Sequence, residues 1–525
     1  MRRPPPGTPL PPLAGGAHGS DALRPLLATV LDALHDGAAE RGGPLPAGGP
    51  DRVAGQLRTA AGPVLPDTGT GPGEALRTLV HALALGAADP AHPHCAAHLH
   101  TPPLALAVAA DLAASVLNQS MDSWDQAPAA SALEALVTRA LAYEVYPGDP
   151  DPGDPDPRDP HPRDPDPGDP DPRDPHPGSS GTEGPEHGGP RPGSAGVPTP
   201  GLRTPRPRGT TPDAVLTTGG TESNQLALLL ARERHGPTVQ VVCGAHTHHS
   251  VHRAAWLLGL PRPVTVPTPS GTLDPAALGA VLTALRGPLL VTATAGTTDT
   301  GRIDPLNALA DLCDTHGAAL HVDASYGGPL LLSPTHRPLL DGIHRAHSVT
   351  LDLHKLGWQP VAAGVLAVPR TGDLAPLAHT ADYLNADDDT EAGLPDLLGR
   401  SLRTTRRADV LKIAVTLKAL GRTGIAALVD RVLDAAQLLA DQIEDRPGLE
   451  LYERPTLTTV LFRPTGAPDR TVAAARRTLL TEGTAALGRA RADDRLWFKA
   501  TLLNPHATPG DLDTLLRLVE GSTRR

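Results

Sequence analysis

The sequence predicts an α/β protein with a mostly parallel sheet, and three observations carry that reading. From residue 213 onward, short apolar runs at 214–218, 239–243, 289–295, 318–324 and 348–353 alternate with helical stretches. Such alternation builds strand–helix–strand units whose sheet is covered on both faces. The polar clusters that fit neither pattern (TTGGTESN, AHTHHSVHR, GTTDTGRID, DASYGG and DLHK) all follow these runs. They fall at the carboxyl ends of the predicted strands, where ligands bind in sheets of this kind. Beyond residue 378 a polar loop, HTADYLNADDDTEAG, leads into the helical RRADVLKIAVTLKAL and then the runs LELYE, TTVLF and LWFKATLLN, which read as a smaller α+β domain over 379–525.

Composition limits what the chain can do. A formal net charge of -12 argues against a general nucleic-acid partner or an anionic membrane surface. The three cysteines, Cys95, Cys243 and Cys313, form no metal-binding spacing and leave an odd count, as in a reducing compartment. The N-terminus has charge but no apolar core of a signal peptide, and the longest apolar stretch, 104–117, is broken by Asp111. These features predict a soluble, cytoplasmic protein.

In chain order, residues 1–20 read as a disordered tail. Apolar spacing predicts a helix over 21–38, capped by Ser20 or Asp21, and another near 73–85. The segment HPHCAAHLHTPP (92–103) opens a longer helical run to Asn118. NQSMDSWDQAPAA (118–130) places Asp122 and Trp124 in a polar turn before a helix over 131–143. Residues 21–125 thus form a helical N-terminal segment, and 126–378 the large domain.

That domain carries an insert at 147–209. Residues 148–177 are six pentapeptides of Gly or Arg, then Asp-Pro, then Asp or His, then Pro. Proline at this density predicts a polyproline-II rod of about 90 Å at ~3.1 Å per residue. It reads first as a tolerated low-complexity expansion in a surface loop, with a spacer or a partner-binding arm as the functional alternatives.

Four lysines stand among 42 arginines: Lys355, Lys412, Lys418 and Lys499. A lysine kept against that bias suggests a need for an amine that can lose its proton, which arginine does not supply. Lys355 sits at a strand end beside His354, a setting for Schiff-base chemistry, although a solvated loop lysine has the same local sequence. TTGGTESN (217–224) is a strand, a glycine turn and a helix start, suited to an anion. It lacks the Gly-Lys-Ser/Thr ending of a nucleotide-binding loop. Asp323 ends an apolar strand, where a carboxylate needs a cation or hydrogen-bond donors. His248 lies among His246, His249 and His252, and a metal site is the competing reading there, without an HExxH or cysteine pair to accompany it.

Taken together and in this order, HLHTPP, NQSMDSWDQ, TTGGTESN, HVDASYGG, DLHKLGWQP and SLRTTRR resemble the group II pyridoxal-phosphate-dependent amino acid decarboxylases. The resemblance covers about 20–146 and 210–522 and is closest to the 2,4-diaminobutyrate and siderophore-type lysine branch. It implies a fold-type I (aspartate aminotransferase-like) enzyme that binds pyridoxal 5'-phosphate and forms a homodimer. On that resemblance Lys355 holds the cofactor as a Schiff base, His248 stacks on its ring and Asp323 pairs with the pyridine nitrogen. Gly219, Gly220, Thr221 and His354 hold the phosphate, while Thr298, Ser325 and Asp352 line the cofactor site. Ser325 departs from the family's usual alanine. Tyr383, on the polar loop, matches the tyrosine that returns a proton to the substrate. His98, Leu99, His100, Thr101, Ser120, Asp122 and Arg406 match substrate-lining positions, and no metal is implied.

The expected reaction is decarboxylation of an L-amino acid to its amine, the substrate being a diamino acid such as 2,4-diaminobutyrate, ornithine or lysine. Asp122 would pair with the second ammonium, or else cap the following helix. Other readings are an aromatic-amino-acid or glutamate decarboxylase, an aminotransferase, or an inactive scaffold with an Asp-Pro arm. A cysteine desulfurase needs a nucleophilic cysteine on the later loop, and none follows Cys313.

Overall fold

The computed structural model describes residues 11–148, 211–379, 388, 391–395 and 397–523. Residues 148–211 cluster as a unit of their own, of which only 148 and 211 are described, so the Asp-Pro repeat lies outside the described residues, as does Tyr383. The rest of the chain forms one unit built on two sheets.

The N-terminal part contains α1 (Gly19–Arg41), α2 (Gly49–Ala61) and α3 (Pro72–Leu85). The cap expected from Ser20 or Asp21 does not form. His18 is the N-cap without a side-chain bond, and Asp21 lies in the first turn, where its charge still favours the helix dipole. α2 lies between the two predicted helices, where no element was expected: Pro50 is tolerated in its first turn, and Val53 and Leu57 share a face. The long helical run expected from His92 is absent. Pro102 and Pro103 exclude helix before Ala105, so 92–103 is turns and loop around the short β1 (Cys95–Ala96) ahead of α4 (Ala105–Leu117). α5 (Pro128–Val145) follows and packs on the large sheet.

The large sheet is made of β2 (Asp213–Thr217), β3 (Gln240–Gly244), β4 (Val264–Val266), β5 (Leu289–Thr294), β6 (Ala319–Ala324), β7 (Ser348–Asp352) and β8 (Gly364–Val368). Between them run α6 (Gly220–His235), α7 (His249–Leu257), α8 (Pro275–Ala284) and α9 (Leu306–His316). The strand order is β2-β8-β7-β6-β5-β3-β4, with β8 antiparallel to both neighbours and the remaining pairs parallel. Both faces are covered, which is why β5, β6, β7 and β8 are buried along their whole length and read as continuous apolar runs.

The C-terminal part begins with α10 (Val410–Glu444), whose helical geometry breaks at Gly421. It continues through β9 (Leu449–Leu451), β10 (Thr459–Pro464), α11 (Asp469–Glu482), β11 (Ala486–Ala492), β12 (Arg495–Thr501) and α12 (Pro509–Thr523). The second sheet has the order β1-β11-β12-β10-β9, with β1 parallel to β11. Residues 95–96 therefore belong to the C-terminal sheet and not to a purely helical N-terminal segment. This pairing brings the chain after β1 to the carboxyl edge of the large sheet.

Candidate active site

The carboxyl ends of β2, β5, β6 and β7, with the loop after β3, surround a cavity of about 470 Å³. β2 runs parallel to β7 because both flank the reversed β8, so the glycine turn after β2 opens on the same side as Lys355.

Lys355 follows β7 by one turn. Its Nζ lies 2.9 Å from Asp352 Oδ2, and Asp352 is buried at the strand's last position. Asp352 Oδ1 and His354 Nδ1 are both buried without a hydrogen-bond partner among the described residues. His354 Nε2 is 3.6 Å from Asp352 Oδ2, and burial pushes its imidazole below the ordinary histidine range.

Asp323, on β6, is the most heavily partnered carboxylate of the site. Ser325 donates to Oδ1 twice, from its backbone N–H at 3.1 Å and its hydroxyl at 2.6 Å. Asn224 Nδ2 donates to Oδ2 at 2.7 Å. Burial pushes the carboxyl upward, but the Ser325 bonds, the Lys355 charge and the Asn224 bond outweigh it and hold Asp323 below the usual carboxylate range. Ser325, at the family's usual alanine, is thus a hydrogen-bond donor to Asp323.

His248 is the N-cap of α7, and its Nδ1 accepts from the Ser250 backbone N–H and lies 2.8 Å from the Ser250 hydroxyl. Burial, with His249 and Lys355 nearby, lowers its pKa against the pull of Asp323. The glycine turn at Gly219-Gly220 allows a close approach. A Cβ on Gly220 would come within 2.2 Å of Ser325 Oγ. Thr221 and Thr298 also line the cavity, as do His98 and Leu99.

Five expected residues lie elsewhere. His100 is exposed, Thr101 is buried, Ser120 is half-buried, and none of the three lines the cavity. Asp122 is buried in the turn before α5 and accepts from Gln126 Nε2 at 2.8 Å. It does not cap α5, whose N-cap is Ala127. Arg406 is buried away from the cavity because its guanidinium pairs with Glu134 of α5 at 2.6 Å.

Seven lining residues were not among the expected site residues: Thr218, His246, Thr294, Gly296, Tyr326, Lys499 and Thr501. His246 Nε2 is 3.2 Å from the buried Asp304. Lys499 and Thr501 share the cavity-facing side of β12. Lys499 Nζ donates to Thr298 O at 3.1 Å and to Asp299 Oδ1 at 3.3 Å, a largely exposed carboxylate. A lysine set in an apolar strand of an arginine-rich chain was the signal available for it.

The pyridoxal-dependent decarboxylase conserved domain matches residues 201–465. The L-2,4-diaminobutyrate decarboxylase of Rhizobium meliloti (strain 1021) is 36% identical over 482 residues, covering 88% of this chain and 84% of that protein. This chain belongs to the pyridoxal-dependent decarboxylase family. The L-2,4-diaminobutyrate decarboxylase of Acinetobacter baumannii is 29% identical over 471 residues, 83% of this chain and 80% of its own. Among solved structures, the glutamate decarboxylase domain of diaminobutyrate-pyruvate transaminase and L-2,4-diaminobutyrate decarboxylase from Vibrio parahaemolyticus superposes with a TM-score of 0.77 at 27% identity, covering 98% of this chain and 97% of that one. The protein is a pyridoxal-phosphate-dependent carboxy-lyase acting on an amino acid, with the fold-type I architecture expected of it.

Proposed function

We propose that this decarboxylase acts on an L-amino acid bearing a second amino group, such as 2,4-diaminobutyrate, ornithine or lysine, with Lys355 as the cofactor-linked lysine. The observation that carries the site assignment is the convergence of Lys355, Asp323 and His248 on one cavity. The diamino class rests on the names of the two relatives matched over most of the chain.

The residues fit pyridoxal phosphate. The glycine floor, which a Cβ at Gly220 would fill, and the first turn of α6 suit an anion. The unpartnered Asp352 Oδ1 and His354 Nδ1 face the same region and have hydrogen-bonding capacity to spare. Gly219, Gly220, Thr221 and His354 would hold the phosphate end, with Thr298, Ser325 and Asp352 along the walls. When bound, the cofactor supplies an electron sink for the bond broken at the substrate's Cα. Asp323, kept ionised by Ser325 and Asn224, would hold a proton on the pyridine nitrogen. Lys355, beside Asp352, has a counter-charge close at hand whenever its amine is protonated. Lys499 is a cation at the wall whose acceptors are a backbone carbonyl and an exposed carboxylate, so it is available to a substrate carboxylate. His98 and Leu99 would border the substrate.

Tyr383 is proposed to return the proton at Cα. Tyr383→Phe should then give aldehyde in place of amine, with oxygen consumed, and amine at the wild-type rate would move the role elsewhere. Asp122, buried in the turn before α5 and bonded by Gln126, does not line the cavity and is not proposed for the second ammonium.

The enzyme is proposed to act as a homodimer. Leu31 and Leu34 of α1 and Leu79 and Leu83 of α3, two helices packed together, are exposed apolar side chains, as are Leu112 and Leu117 of α4. Sedimentation velocity at working concentration tests this, and a monomer would overturn it. A cytoplasmic location is supported by three free cysteines, two of them buried. Among the described residues no helix is long and apolar enough to cross a membrane.

The test of substrate class is a panel assayed for carbon dioxide and amine with the loaded enzyme. Turnover of 2,4-diaminobutyrate, ornithine or lysine ahead of glutamate and tyrosine is expected. Glutamate or tyrosine preferred over every diamino acid overturns the assignment.

A further inference from the structure

Beneath the cavity floor runs a buried chain of polar side chains that connects Asp323 to His248 through a residue with no cavity face of its own. Asn224, on α6, is wholly buried. Its Nδ2 lies 2.7 Å from Asp323 Oδ2 and 2.9 Å from Ser250 Oγ. Its Oδ1 lies 3.0 Å from His321 Nε2 and 3.0 Å from Thr350 Oγ1. His321 Nδ1 in turn is 2.8 Å from Ser348 Oγ.

The direction of each bond follows from the first. Asp323 is ionised and offers only acceptors, so the amide must turn its NH2 to it. That orientation gives Ser250 the second amide proton, which makes the Ser250 hydroxyl an acceptor on that side and frees its own proton for His248 Nδ1 at 2.8 Å. The Ser250 backbone N–H also points at His248 Nδ1, at 3.4 Å. Two donors on one ring nitrogen exclude a proton there, and the neutral ring then carries its proton on Nε2. On the other side, Asn224 Oδ1 is an acceptor, so His321 carries its proton on Nε2 and receives one from Ser348. With His321 neutral, this assignment leaves no two donors and no two acceptors facing each other.

We propose that Asn224 is a positioning residue that ties the tautomer of His248 to the charge of Asp323, so that His248 presents an N–H donor to the cavity whenever Asp323 is ionised. The two groups proposed to meet the cofactor, one at its ring face and one at its ring nitrogen, are thereby set by a single amide. Loss of the Asp323 charge would free the amide to turn over, and the direction of every bond out to His248 would go with it. His321, fully buried, serves as the fixed end: burial pushes it down to about 4, so it stays neutral and holds the amide oxygen in place. The use of this coupling in catalysis rests on the decarboxylase reading. The coupling itself rests on the hydrogen-bond geometry and on the charge states of Asp323 and His321.

The experiment is nitrogen NMR of protein labelled at the histidine rings, recorded with and without pyridoxal phosphate, with His248→Gln identifying the His248 signals. Wild type is expected to show His248 neutral at neutral pH, protonated on Nε2 and accepting on Nδ1, in both forms. In Asn224→Ala, where the long bond from the Ser250 backbone N–H is the one fixed donor left to Nδ1, the His248 signals should shift partly towards the Nδ1-protonated tautomer. Ser250→Ala is the milder variant should Asn224→Ala fail to fold. It leaves the Asn224–Asp323 bond in place, so cofactor absorbance should persist while the His248 signals move as in Asn224→Ala. A wild-type His248 protonated on Nδ1 overturns the proposal, as do unchanged His248 signals in a folded Asn224→Ala or Ser250→Ala. A protein that passes these tests but releases no carbon dioxide from any amino acid would overturn the functional reading and leave the coupling standing.

Discussion

Lys355 Nζ stands 2.9 Å from Asp352 Oδ2, and the carboxylate is the last residue of the strand that delivers the lysine. One turn of backbone, closed by Lys355 N–H donating to Asp352 O at 3.3 Å, sets the amine over the cavity and supplies its counter-charge together. Removing the amine should therefore remove covalent attachment without disturbing the fold. Lys355→Ala is expected to lose the visible imine absorbance of the loaded enzyme and essentially all turnover, with the fold retained and a lower unfolding midpoint, since Asp352 loses its counter-charge. A retained band in that variant would show that another lysine holds the cofactor, and Lys499 is the alternative within the same cavity.

Lys499 can be separated from Lys355 by what its loss changes. Its bonds to Thr298 O and Asp299 hold the ammonium at the wall, and the proposed partner is a substrate carboxylate. Lys499→Met keeps the length of the side chain and removes the charge. A charge-assisted bond is worth ~1.5–3 kcal/mol, so binding should weaken about 10–150-fold, with cofactor absorbance retained. Lys499→Arg should recover part of the loss. An unchanged KM in Lys499→Met would mean that the ammonium serves only to pin the Thr298 loop.

The strand–helix alternation after residue 213 was readable because β2, β3, β5, β6 and β7 are buried nearly throughout and each cluster of polar residues falls at one sheet edge, whereas the half-exposed β4 gave no apolar run. Lys355, Asp323, His248 and the Gly219-Gly220 turn were legible for that reason: each is a polar residue that an apolar strand or a turn leaves at a ligand-binding edge. The N-terminal part was less so. Cys95 and Ala96 pair with Ala486 and Leu487, nearly four hundred residues away, and two residues carry no periodicity. β11 reads ALGRARA, whose arginines alternate with small residues and lack the β-branched signal. Arg406 illustrates a different limit. Its sequence context matches a site-lining arginine, yet only the fold shows that Glu134 lies within 2.6 Å.

His321 gives the protein a built-in acid sensitivity. Burial pushes its pKa from 6.5 down to about 4, and the folded state therefore resists a proton that the unfolded chain accepts. Its contribution to stability is fully present above pH 6.5 and is lost as pH falls towards about 4. The difference amounts to roughly 3 kcal/mol. Urea unfolding across this window should show a falling midpoint, and His321→Asn should flatten the fall while lowering stability at neutral pH. A wild-type midpoint that holds steady through the window would refute a neutral His321.

The buried pair of Arg406 and Glu134 supplies the last test, because the two possible roles of Arg406 predict opposite results. Their side chains are 3% and 5% exposed, and Arg406 Nε and Nη2 have no hydrogen-bond partner among the described residues. A guanidinium so placed depends on its one carboxylate. Glu134→Gln leaves the volume unchanged and strands the charge, which in buried pairs costs ~3–5 kcal/mol. Replacing both partners by apolar residues of similar size, Glu134→Leu with Arg406→Met, removes the stranded charge and should restore much of the stability. If Arg406 served the substrate instead, Glu134→Gln would raise KM and leave the unfolding midpoint where it was. The distance to Glu134 favours the first outcome: denaturant unfolding should show Glu134→Gln strongly destabilised and the double variant recovered, with KM unchanged wherever the enzyme remains folded.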